Sequence, residues 1–152
     1  MVDDACRIEE TDFDNPLGVG TGAGVIFGVT GGVMEAALLS AYYLVNKKNP
    51  DLNAFKNVRG LDEYKEATFD FDNGVEVKVA VVHSLSNVRK LINRILNKEV
   101  TYDFVEVMAC AGGCINGGVQ IIDLDGGDFA ARSNILYSLD KANNIRFSHE
   151  NP

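Results

Sequence analysis

Cys110 and Cys114 stand in the run Phe104–Gln120, FVEVMACAGGCINGGVQ, directly after an apolar stretch that reads as a strand. A thiolate is a soft ligand suited to iron and to iron–sulfur clusters. Such a cluster is bulky and anionic, so the backbone that holds it must come close. Gly112, Gly113, Gly117 and Gly118 remove the side chains that would collide with it. Spacing alone leaves two readings open. One is half of a cluster-ligand set; the other is a glycine-rich turn carrying two incidental buried thiols, since a cubane takes four ligands.

Other chemistry-bearing residues are weaker candidates. Cys6 sits in an acidic segment that opposes thiolate formation and reads as a free or partly buried thiol. Glu35, early in an apolar stretch, and Glu106, just before the cysteines, are either proton relays or carboxylates spent on a helix dipole or an interlobe salt bridge. The second role is the better reading. His83 and His149 have no metal-spaced partner, and hydrogen bonding to backbone is the expected role of His149. Gly18–Ala23 formally fits the G-x-G-x-x-A pattern of a dinucleotide fold. It follows Asn15-Pro16-Leu17 and not a strand, so a nucleotide-binding reading rests on little.

The cysteines need a scaffold, and the apolar pattern supplies one. Residues 3–20 are acidic and turn-rich, with Asn15-Pro16 breaking any helix. Gly18–Gly32 is a glycine-dense loop around Val25-Ile26-Phe27. From Val33 to about Lys47 the apolar residues recur at helical spacing, with Thr30 as the expected N-cap and Lys47-Lys48 complementing the dipole. Phe55–Gly60 and Tyr64–Phe71 read as short strands. Asp72-Asn73-Gly74 signals a hairpin into Glu76–Val82, apolar enough to be a central strand. A helix is predicted over Ser86–Leu96, capped by Ser84 or Ser86 and burying Val88, Leu91, Ile92 and Ile95. Strand Phe104–Met108 then delivers Cys110 at its C-terminal end, and a last helix covers Phe129–Ala142. This order predicts an α/β fold, a small mixed β-sheet flanked by helices, with a right-handed crossover between Val77 and Val107. Functional groups gather beyond the carboxyl ends of such strands, where the cysteines fall.

Composition excludes several partners. The chain has 152 residues, 46% apolar and 24% charged, with a net charge of -8. That balance fits a soluble globular domain and opposes nucleic acid and anionic membrane surfaces. Its opening residues lack the basic and apolar regions of a signal peptide, and three cysteines form no even disulfide framework. A cytoplasmic location is expected, with the periplasm as the alternative.

The cysteine run resembles the third cysteine motif of iron-only (di-iron) hydrogenases, approximately E-x-M-A-C-x-x-G-C-x-x-G-G-G-Q-P. Glu106, Met108, Ala109, Cys110, Gly113, Cys114, Gly117, Gly118 and Gln120 fall in place. Thr21–Ala37 resembles the glycine-rich stretch and following helix of that family, and Arg146–Pro152, RFSHENP, resembles its R-x-S-H-x-N-P element. The resemblance implies that residues 1–152 are a single lobe of a two-lobed catalytic domain, cut at both ends. The family's first two cysteine motifs, roughly T-S-C-C-P and M-P-C, belong upstream, and the family continues past S-H-x-N-P. It implies Cys110 as a ligand of a 4Fe-4S cubane and Cys114 as the ligand bridging that cubane to a di-iron centre, the two together forming the H-cluster. Met108 and Phe27 then border the di-iron pocket.

The implied activity is interconversion of H2 with protons and electrons in anaerobic hydrogen metabolism. The implied partners are the missing N-terminal lobe, from the same protein or a second subunit, and an electron carrier such as ferredoxin. With two of four cubane ligands, the chain alone is expected to lack the cofactor and to be inactive. Val119 and Ile121 stand where the family has glycine and proline. They favour the alternative, a non-catalytic iron–sulfur binding or sensory module derived from the same lobe. Three structural expectations follow from the resemblance. The two thiols face the Gly22–Gly32 loop, Gly112, Gly113, Gly117 and Gly118 adopt positive φ, and an apolar patch around Phe27 and Cys110 meets solvent.

Overall fold

Asp72-Asn73-Gly74 makes the expected hairpin turn. Asp72 and Gly74 adopt left-handed φ of 62° and 79°, and the carboxylate of Asp70 and the amide oxygen of Asn73 each accept the backbone N–H two residues on. The turn joins β1 (Tyr64–Asp70) to β2 (Glu76–His83) in antiparallel register from Tyr64↔Val82 to Asp70↔Glu76. β2 also pairs in parallel with β3 (Phe104–Met108), from Val79↔Phe104 to His83↔Met108. The sheet is therefore mixed, ordered β1-β2-β3, with β2 central as its apolar run demands. The computed structural model describes residues 11–13, 18–121 and 128–152. Cys6 and the Asn15-Pro16 break lie outside the described residues.

Strand alternation sends β2 into two cores. Val79 and Val81 pack with Met34, Leu38, Tyr42 and Phe71 on one face, while Ala80 and Val82 meet Leu91 on the other. The first face is covered by α2 (Gly32–Asn46) and the second by α3 (Leu85–Leu96). A short helix α1 (Gly22–Val25) precedes α2, and α4 (Asp128–Ala142) closes the element order. Thr21 caps α1 by accepting the Gly24 N–H at 3.0 Å. α1 is held from the far end of the chain, where Gly22 N and Ala23 N donate to the carbonyls of Ile145 and Arg146. Among the described residues no helix is long and apolar enough to cross a membrane.

Four local expectations are corrected. Thr30 is not the cap of α2: Gly31 occupies that position at φ 88°, and the buried Thr30 hydroxyl has no hydrogen-bond partner among the described residues. Lys47 is the left-handed C-cap, φ 57°, so no basic residue lies in the last helical turn. Phe55–Gly60 is not a strand. A 3-10 turn, Lys56–Val58, lets Phe55 and Val58 face the same core three residues apart, where a strand would have split them across two faces. On α3 only Leu91 of the predicted apolar face is buried; Val88 is half-buried, and Ile92 and Ile95 are exposed. A three-stranded sheet is too narrow to cover the whole helix. Asn87 is buried instead and donates to Glu63 and to the His83 carbonyl, and Ser84 occupies the N-cap position without a side-chain cap bond.

Candidate metal centre

β3 ends at Met108, whose carbonyl accepts the Ser84 N–H, and the chain must then turn sharply. It does so at Gly112 and Gly113, with φ of 78° and 97°, a region that side chains resist. Gly113 N donates back to the Cys110 carbonyl, and a 3-10 turn, Cys114–Asn116, follows. Gly117 does not take the expected left-handed φ; it sits at -76°, and Gly118 is likewise outside that region. The turn presses against the first glycine segment. Thr30 N donates to Gly112 O at 3.1 Å, and a Cβ on Gly113 would lie 2.8 Å from both Gly28 O and Thr30 N. Two glycine-rich stretches some eighty positions apart thus meet backbone to backbone, which only bare backbone permits.

Both thiols are free and exposed, not the buried thiols of an incidental turn. Cys114 opens into a cavity of about 360 Å³ whose walls include Val25, Gly28, Ile115, Gln120 and Arg132. Cys114 therefore shares this cavity with Val25 and Gly28 of the Gly22–Gly32 loop, whereas the expectation named both cysteines. Cys110, Met108 and Phe27 are not among the residues lining that cavity. Met108 is half-buried opposite His83 at the end of β3, and Phe27, 45% exposed, projects from the 3-10 turn Ile26–Gly28. Val119 and Ile121 are also strongly exposed, so apolar surface does flank the cysteine loop. Among the described residues no three His, Cys, Asp or Glu side chains converge as a metal site.

The two buried carboxylates near this loop are structural. Glu106 accepts Gly31 N and Met34 N, each at 2.6 Å, and so caps α2 from the neighbouring strand. Burial pushes its carboxyl above the ordinary range, while the two N–H groups pull the other way. Since the folded-state pKa is the higher one, stability is greatest below the unfolded value and declines as pH rises through the folded value. Glu106→Gln is expected to lose that decline but to leave one oxygen for two donors, at a cost of about 1–3 kcal/mol at neutral pH. Urea denaturation across pH 4 to 8 checks both parts.

Glu35 is paired inside this chain, not across lobes: Arg59 Nε and Nη2 grip it at 2.7 and 2.5 Å. The guanidinium also lies 4.3 Å from the centre of the Tyr137 ring. His149 bonds to side chains and not to backbone, namely Ser40 Oγ and Asn49 Oδ1, and stacks on Tyr43 at 4.2 Å. In the first glycine loop Gly22 N and Ala23 N already serve Ile145 and Arg146, so these two groups offer nothing to a phosphate and the nucleotide reading gains no support from them.

One residue escaped the sequence reading. Arg132, on α4, donates Nη1 to Ile115 O at 2.9 Å and Nη2 to Ile121 O at 2.8 Å. No motif marks it; the only signal was a lone arginine on a helix following the cysteine loop.

The family profile described as iron only hydrogenase large subunit, C-terminal domain, matches residues 4–118. The chain belongs to that family. This hydrogenase domain is 43% identical to the NADP-reducing hydrogenase subunit HndD of Solidesulfovibrio fructosivorans, over 98% of its own length and 25% of the relative's. It is 41% identical to iron hydrogenase 1 of Clostridium pasteurianum, over 99% of its length and 28% of that protein. A solved structure of a variant FeFe-hydrogenase from Chlamydomonas reinhardtii superposes with a TM-score of 0.65 at 38% identity, covering 96% of this chain and 44% of that one. The hydrogenase domain described here spans about a quarter of the length of the curated relatives it matches. Its mixed sheet and flanking helices are the expected α/β architecture.

Proposed function

We propose that this domain is one lobe of an iron-only hydrogenase catalytic domain, with Cys110 and Cys114 as thiolate ligands of its H-cluster. The observation that carries the reading is the meeting of the two glycine segments beside Cys114. A Cβ at Gly113 would fill the junction, and Cys114 lines a cavity walled also by Gly28. The donor set fits the group in part: two accessible soft thiols on a bare loop supply half of a cubane's four ligands. When bound, the H-cluster supplies the redox chemistry that interconverts H2 with protons and electrons. The chain's own residues do the holding. Cys110 and Cys114 bind, Gly112 and Gly113 let the backbone approach, and Glu106 fixes the α2 end against which the loop rests. Phe27 and Met108 would border the di-iron part of the bound cluster, where their apolar surfaces would help exclude water.

The remaining ligands come from an N-terminal lobe of the same protein or from a second subunit, electrons from a carrier such as ferredoxin, and the compartment is the cytoplasm. Anaerobic reconstitution of the cubane with iron and sulfide, followed by supply of a preformed di-iron unit, tests this, using the chain alone and the chain joined to a lobe bearing the other two motifs. The lone chain is expected to stay colourless and inactive. The joined protein should show iron–sulfur absorbance and evolve hydrogen. Cys114→Ser should lower hydrogen evolution by more than about 100-fold, because even residues that merely orient metal ligands are worth 10–100-fold. Iron bound without turnover in the joined protein would favour the sensory-module reading, to which Val119 and Ile121 point. No iron in the joined protein would sink both.

A further inference from the structure

We infer that Arg132 is a positioning residue that clasps the cysteine loop and sets where Cys114 presents its sulfur. The significance for a metal centre rests on the ligand role proposed for Cys114; the clasp is a matter of geometry. Arg132 reaches from α4 with a planar fork, placing Nη1 on Ile115 O and Nη2 on Ile121 O. Those two carbonyls bracket the segment holding Gly117, Gly118 and the fully exposed Val119. Glycines lose the most conformational freedom on ordering, so this segment is costly to hold in one shape. Among the described residues its backbone N–H groups make only short-range backbone bonds, Asn116 N to Gly113 O, Gly117 N to Cys114 O and Gln120 N to Gly117 O. One guanidinium spans the whole segment and ties both ends to a rigid helix.

The same side chain is only 20% exposed and lines the cavity into which Cys114 opens. Its carboxylate neighbour one helical turn back, Asp128, stands 3.8 Å away and is largely exposed, too loose a pairing to explain the burial of the guanidinium. Carbonyl clasping explains it better. A buried cation beside that cavity also favours the negative charge that a thiolate-bound cluster carries. Lysine replaces it only in part, because an ammonium is a point donor and the two carbonyls need a fork.

Amide hydrogen exchange on the metal-free chain tests the clasp without any cofactor. In Arg132→Met, exchange at Gly117 and Gln120 is expected to rise about tenfold while β2 amides stay within about twofold of the parent. Arg132→Lys should recover part of that protection, and it keeps the test open if the methionine variant fails to fold. Unchanged protection at Gly117 and Gln120 in a folded Arg132→Met would overturn the proposal. A second reading uses the joined, iron-loaded protein, in which Arg132→Met should shift the cluster's midpoint potential to more negative values. An unshifted potential with altered exchange would confine Arg132 to the backbone and refute its effect on the sulfur. Failure of the parent itself to load iron would instead count against the ligand role of Cys114, leaving the exchange result to decide the clasp.

Discussion

Arg59→Ala is expected to destabilise the domain by about 3–5 kcal/mol, because it strands Glu35 as an uncompensated buried charge. Glu35 is 1% exposed, and its two oxygens are both held by the Arg59 guanidinium. The pairing holds the Arg59 guanidinium above its already high ordinary pKa. The loss has a second component, since the guanidinium also covers the Tyr137 ring. Replacing both partners by apolar residues, Glu35→Met with Arg59→Met, should recover most of the loss, as removal of a whole buried pair commonly does. Urea denaturation of the single and double variants measures the coupling directly. A single variant within about 0.5 kcal/mol of the parent, the range of ordinary surface substitutions, would show that Glu35 finds water or another partner.

The second large effect is steric. A Cβ added to Gly32 would run into the Ile26 carbonyl, lying 2.6 Å from its carbon and 3.3 Å from the Ile26 Cβ. The obstacle is backbone and not a flexible side-chain tip, so either α2 or the Ile26–Gly28 turn must move. Gly32→Ala is expected to cost about 3 kcal/mol, at the upper end for overpacking, although alanine is the better helix former. Gly20→Ala is the control, since nothing lies within 4 Å of the Cβ it would add. That variant should stay within about 0.5 kcal/mol of the parent. Thermal melts of the pair check this, and equal melting temperatures would refute the steric account.

The strands of the sheet were legible because their signals are local. The Asp72-Asn73-Gly74 turn and the alternation along β2 act within a few residues, and both are found as expected. The cysteine loop was legible as chemistry because thiols and glycines are informative residue types whatever surrounds them. What the chain hid was long-range. Glu106 caps a helix more than seventy positions earlier, so Thr30, the locally sensible cap, was displaced by a partner that no window could reveal. Arg132 acts on carbonyls, which every residue has, and so leaves no trace in side-chain spacing. Ile92 and Ile95 misled for the opposite reason. Helical periodicity reports which residues share a face, not how much sheet lies beneath it.

The bonds from Gly22 and Ala23 to Ile145 and Arg146 also order events during synthesis. The ribosome delivers residues in sequence, and the hairpin around Asp72-Asn73-Gly74 can close within microseconds of emerging. The stretch carrying Gly28 has local turns of its own, but its attachment to the rest of the fold is remote. It is anchored by a loop closure of more than 120 residues, among the slowest contacts a chain this size makes. The wall beside Cys114 is therefore finished only after translation has passed Arg146. A nascent chain stalled before that point would expose both thiols while α1 still lacked the bonds that anchor it.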